Sequence, residues 1–176
     1  AILQRLQQQN NNLNGSGNTN TATRVLPKEK NLAVPFTSQA PDAHWDADHE
    51  EFCEEAAVVM VGRFYQGSSF ASTRDAESAL QTLKQWEVQH FGYYYDTTAQ
   101  ETAEMLEAVY PVRAHVLEDP TIHDIQAALA EGTLVIAPTA GRELGNPNFS
   151  GLGPVYHNLV IRGYTANGYF ITNDQI

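Results

Sequence analysis

The chain has 176 residues, 42% of them hydrophobic, and a formal net charge of −11. That length and apolar content suit one domain with a real core. The charge excludes nucleic acid or an anionic membrane as the main partner, because both demand a basic face. The longest apolar run, Ala56 to Val61, falls far short of the roughly 20 residues that span a bilayer.

Residues 1–30 differ from the rest. Gln7 to Asn20 is polar, low in complexity and free of charge. Such a segment buries too little apolar surface to offset its chain entropy, so it reads as a flexible Gln/Asn-rich tether. A short helix is expected over Ala1 to Gln8. The chain begins with alanine, so a preceding segment is expected, a cleaved export signal among the forms it takes. Export, or attachment to a membrane through such a segment, is the expected location.

The compact domain is expected over residues 31–176. Leu32 to Ser38 is extended, and Pro35 confines it to an edge or loop. A loop follows from Gln39 to His49. Glu50 to Tyr65 predicts a helix, with Phe52, Ala56, Val59, Met60 and Phe64 at spacings of three and four. Asp75 to Val88 predicts a second helix, with Ala76, Ala79, Leu80, Leu83 and Trp86 as its stripe. Tyr93 to Tyr95 reads as part of a strand. Thr98 to Tyr110 is a third helix, stopped by Pro111. Val112 to Leu117 follows as a strand. A fourth helix is capped by Thr121 and ends before Gly132. Beyond Gly132 the pattern turns to strands: Thr133 to Pro138, Val155 to Gly163 and Tyr169 to Asp174, with a glycine-rich loop from Thr139 to Pro154. Helices first and an antiparallel sheet last is an α+β order.

Cys53 is the only cysteine, which excludes an intramolecular disulfide. A lone cysteine is most often a packing residue. Placed near a helix start, it also suits a nucleophile, since the unpaired N–H groups there favour a thiolate. Glu50, Glu51, Glu54 and Glu55 oppose that wherever they face the sulfur, so a histidine is required. Of the six histidines, His157 stands out: it opens an otherwise apolar strand, where an unpartnered ring is costly.

The residue that orients this ring is expected at the end of the next strand, at Asn173 or Asp174. Side-chain alternation separates them. With His157 opposite Asp174, Gly163 faces Gly168 and the turn is Tyr164 to Asn167. With an Asn167-Gly168 turn instead, Asp174 faces Ile161. Both registers put Asp174 on the face of His157, but only the first brings it within reach. That register is expected, and Cys53 is expected to be a nucleophile only if it forms. The backbone N–H of Cys53 and the side chain of Gln39 are the expected oxyanion donors.

Other patterns are weaker. Asp42, Asp46, Asp48, Glu50 and Glu51 lack the glycine and terminal glutamate of a calcium loop. His44 and His49 are badly spaced for zinc. Trp45 is equally suited to a core or to a groove wall.

Taken in order, Val34-Pro-Phe-Thr-Ser-Gln39-Ala-Pro, Trp45, Glu51-Phe-Cys53-Glu-Glu-Ala, His157-Asn-Leu-Val-Ile-Arg-Gly163-Tyr and Asn173-Asp174 resemble the C39-like branch of the papain-like cysteine peptidases. The resemblance spans Leu32 to Ile176. It implies a papain-like fold and cleavage of a peptide or related amide bond. Cys53 would be nucleophile, His157 base and acid, Asp174 orienter and Gln39 oxyanion donor. The implied partner is a peptide or protein substrate, with no cofactor and no metal. Glu54 stands where many relatives carry glycine. Two other readings use the same residues: acyl transfer of the transglutaminase-like kind, and an inactive tethered binding module.

Overall fold

A computed structural model describes residues 2–6 and 25–176 of the chain. Of the tether expected over residues 1–30, residues 1 and 7–24 lie outside the described residues. In chain order the elements are β1 (Ile2–Leu6), β2 (Lys30–Asn31), α1 (Cys53–Tyr65), α2 (Thr73–His90), α3 (Ala99–Val109), β3 (Val112–Val116), α4 (Ile122–Ala130), β4 (Val135–Ala140), β5 (Tyr156–Tyr164) and β6 (Phe170–Asn173). A short 3-10 turn, Gly141–Glu143, follows β4. Every strand pairing among the described residues is antiparallel. The fold is α+β.

The sheet runs β2-β5-β4-β1-β3, with β6 also pairing β5. Alternation along its strands divides the core in two. Leu134, Ile136 and Val160 pack with α1, α2 and α3, while Val135, Ala137, Leu159 and Ile161 pack with Ala128 and Leu129 of α4. Helices therefore cover both faces of an antiparallel sheet.

Polar side chains set the helix starts. Ser72 accepts from the Asp75 amide at α2. Thr98 with Glu101, and Thr121 with Asp124, form reciprocal capping boxes at α3 and α4, each satisfying donors that the first turn leaves unpaired. Helix α1 has no side-chain cap. It begins at Cys53 rather than Glu50, because Asp46 accepts from the amides of Asp48 and His49 and curls the preceding residues into turns. From Cys53 to Gly62 every residue of α1 is buried. It is a central helix enclosed on all sides, not an amphipathic one.

Three sequence expectations are corrected. Residues 2–6 form a strand, not a helix: Ile2–Leu6 pairs with β3 along its length and with β4 at Ile2 and Leu3. Residues Tyr93 to Tyr95 lie in a loop, where Tyr93 donates to Glu101 at 2.5 Å and Tyr94 donates to Asp48 at 2.9 Å.

The third concerns the β5–β6 hairpin, which takes neither register expected for it. Gly168 N donates to Thr165 O, Thr165 N donates to Tyr169 O, and Gly168 has φ +86°. This is a three-residue hairpin loop whose left-handed position suits glycine. Tyr164 then pairs with Phe170 and Gly163 with Ile171, but Ile161 pairs with Thr172 and Val160 with Asn173. The shift is a bulge at Arg162, which changes the alternation by one residue. Arg162 is held there by Nε donating to Asn173 Oδ1 at 2.8 Å, by a second bond to Asn31 Oδ1, and by Leu32 N donating to its carbonyl at 2.9 Å.

Candidate active site

The bulge decides where Asp174 points. The pairing at the hairpin loop, continued without it, would put Asp174 on the face opposite to His157. Past the bulge, Val160 pairs with Asn173, so the next step sets Asp174 opposite Leu159, on the same face as His157. The contact is diagonal rather than directly cross-strand. His157 Nε2 lies 2.9 Å from Asp174 Oδ1. The partner is the expected one, reached through a different register, and the condition tied to a Gly163–Gly168 pairing does not hold.

His157 is fully buried. Phe149 packs edge-on against its ring at 5.3 Å. Gly141 lies against its Cβ, so closely that a methyl group there would come within 3.1 Å of it and 2.7 Å of Pro154 O. Asp174 has a second donor, since Asn146 Nδ2 donates to Oδ2 at 2.7 Å. Burial raises the Asp174 pKa, but the His157 bond and charge, together with Asn146, outweigh it and hold the carboxyl below its ordinary value. The tautomer that donates Nε2–H to Asp174 leaves Nδ1 as an acceptor.

Cys53 opens α1 and is buried. Its thiol donates to Glu54 Oε2 at 3.0 Å and accepts from Asn158 N at 3.4 Å. Burial, then the Glu54 charge, push the thiol pKa well above normal, against the opposing pull of the Asn158 amide. Burial likewise lifts Glu54 to about 7. The thiol is thus engaged with Glu54, not with His157.

Gln39 is also buried. Its Nε2 donates to His49 O at 2.7 Å and reaches Glu50 O at 3.3 Å, while Oε1 has no partner among the described residues. The loop that supplies these carbonyls is pinned through His49, whose Nδ1 meets Asp46 at 2.7 Å and whose Nε2 meets Glu77 of α2 at 2.9 Å. Burial alone would lower the His49 pKa, but the Glu77 and Asp46 bonds raise it overall. The His49 backbone amide, and then its ring, hold Asp46 at about 2.

Gln39, Cys53 and His157 line one cleft of about 1010 Å³, with Trp45, Glu51 and Phe149 in its walls. Trp45 is 43% exposed and is a wall rather than core. Asp174 stands behind His157. All four residues singled out in the sequence therefore meet here, although neither the thiol nor the Gln39 amide points at its expected catalytic partner.

Three further residues shape the site. Gln175 is fully buried, and its Nε2 donates to Cys53 O at 2.7 Å and Asn158 O at 2.6 Å. Its backbone carbonyl accepts from Gln39 N at 2.9 Å and Ser38 Oγ at 3.0 Å. One residue thus ties α1 and β5 through its side chain and the Gln39 segment through its backbone. Asn158 and Asn146 complete the set. A signal for Gln175 was available in alternation: it shares a face with Asn173, next to a buried helix, where a polar group needs partners.

A cysteine opening a buried helix and a histidine opening an antiparallel strand, both lining one cleft, form a papain-like arrangement. The chain belongs to the Peptidase_C39 like family, whose model matches residues 31–176. Comparison with curated proteins and with solved structures found no match. No described helix is long and apolar enough to cross a membrane.

Proposed function

We propose that the protein is a cysteine peptidase that hydrolyses a peptide or related amide bond. The observation that carries this reading is the His157–Asp174 contact of 2.9 Å at the edge of the cleft that holds Cys53. Asp174 fixes the ring so that Nδ1 takes the thiol proton. The sulfur then attacks the substrate carbonyl. The developing oxyanion is met by the Cys53 N–H and by Gln39, whose second amide hydrogen is tied only by the long contact to Glu50 O. His157 returns its proton to the leaving amine, and water releases the acyl group by the reverse route.

Digestion of a peptide library by wild-type protein and by Cys53→Ala, read by mass spectrometry, tests this. Cleavage is expected with wild type and not with Cys53→Ala. Equal patterns from both would refute it. Excess amine in the same digest separates hydrolysis from acyl transfer, because transfer leaves the amine on the new end.

A further inference from the structure

We infer that Glu54 is a catalytic residue of this site: its carboxylate holds the proton-bearing Cys53 thiol in the resting state and must release it before the sulfur can engage His157. The inference rests on the reading of Cys53 as nucleophile.

A glutamate in the first turn of a helix ordinarily faces solvent and complements the helix dipole. Glu54 is instead completely buried. Its two oxygens face two donors: Oε2 accepts from Cys53 Sγ at 3.0 Å and Oε1 from Thr97 N at 2.9 Å. The second contact anchors the carboxylate from outside α1. Thr97 O accepts from Tyr156 OH at 2.6 Å, Tyr156 OH accepts from Asn158 Nδ2 at 2.9 Å, and Asn158 N returns to Cys53 Sγ at 3.4 Å. The sulfur is one member of a closed circuit joining α1, β5 and the loop before α3. Its contacts close on one another, while Asn158 Oδ1 has no partner among the described residues.

This circuit contains no cation. The titratable groups facing Glu54 are Cys53 and Glu55 on α1, Glu87 on α2, Asp96 before α3 and Tyr156 on β5. All are acids. An ionised Glu54 therefore sets an uncompensated negative charge against the sulfur and opposes a thiolate. A protonated Glu54 removes that charge and offers the sulfur a donor.

Activation then has a definite proton path. The S–H···Oε2 bond breaks as the thiol turns into the cleft. The S–H proton moves to Nδ1 of His157, leaving thiolate and imidazolium, and no proton enters or leaves the site. Protonation of Glu54 favours this step, so the nucleophile is released on the acid side of its titration and restrained on the alkaline side.

Cys53 is the only cysteine, so iodoacetamide uptake by the whole chain reports this sulfur alone. Alkylation rates of wild type and Glu54→Gln are compared from pH 5 to pH 9. Each unit taken off a thiol pKa raises its thiolate fraction about tenfold. Glu54→Gln is expected to react at least about tenfold faster than wild type at pH 8, and within about twofold of it at pH 5.5. Coincident profiles across the range overturn the inference.

A second measurement leaves Glu54 in place, in case Glu54→Gln does not fold. The Thr97 amide, followed by NMR in wild type and Cys53→Ala, reports the Glu54 titration. The thiol hydrogen bond stabilises the ionised carboxylate, so its loss moves the midpoint upward; an unchanged midpoint overturns the inference. Neither readout needs a peptide. A faster Glu54→Gln thiol with no library cleavage refutes the peptidase reading alone. Cleavage with coincident alkylation profiles refutes the clamp alone.

Discussion

Glu55 and Glu87 are both fully buried, on α1 and α2, and their carboxyl oxygens have no other partner among the described residues. Burial pushes both pKa values up; the Glu87 charge adds to it for Glu55, while Glu87 reaches about 8 against the opposing pull of a hydrogen bond from Glu55. A proton shared between the two carboxyls, with Glu55 as donor, would give both a partner. This makes a sharp prediction for Glu87→Gln. In the native state the pair keeps a proton that the unfolded chain loses above an ordinary value near 4.5. A raised carboxyl pKa stabilises the fold fully below the unfolded value, and that contribution is lost as pH rises through the folded value. Each pH unit in that window costs about 1.4 kcal/mol per proton held. From about pH 5 to about pH 8 the wild type therefore loses up to about 4 kcal/mol, a large part of the usual 5–15 kcal/mol of total stability.

Glutamine at position 87 keeps the shape, supplies a permanent N–H donor to Glu55 and removes the repelling charge. Its stability is expected to fall with pH only about half as steeply. Urea unfolding at the two pH values reads this directly. With a slope of about 2 kcal/mol/M, the wild-type midpoint should drop by about 2 M and the variant's by about 1 M. A wild type equally stable at both pH values refutes the shared proton. A variant that keeps the full wild-type slope refutes the assignment to this pair.

Two other perturbations probe the site and the sheet. Asp174→Asn removes the charge behind His157 and should lower kcat on a cleaved peptide by about a hundredfold to ten-thousandfold with little change in KM; a loss below about threefold would remove Asp174 from the mechanism. Gly163→Ala would set its Cβ 2.3 Å from Lys30 O and 2.9 Å from Asn31 Cα. The backbone of β2 must give way, so a cost of about 1–3 kcal/mol is expected, lowering Tm by about 2–4 °C for each kcal/mol. An unchanged Tm would show that β2 is not held against β5.

Local chemistry made much of the fold legible. Thr121 before α4 and Gly132 after it were readable because caps obey short-range rules. The start of α1 was not, since Asp46 holds the residues before Cys53 in turns through its own side chain. The four site residues were readable from their order and residue types. The orientation of Glu54 and Glu55 was not, because helical periodicity assigns charged residues to an outer face and α1 has none between Cys53 and Gly62. Asn146 and Asn158 escaped notice because each works through contacts that only the tertiary fold creates.

The β5–β6 hairpin shows why a correct partner can follow from an incorrect register. Alternation has two outcomes, whereas register has many, so a parity argument survives any shift by an even number of residues. The expected pairing and the observed one differ by two near His157, and Asp174 stays on its face. The loop by itself would have produced an odd shift and turned Asp174 away. The bulge at Arg162 restores the parity, and the polar contacts of Asn31, Leu32 and Asn173 hold it in place. Asn173, the rejected candidate for orienting His157, has instead the task of anchoring the bulge that brings Asp174 there.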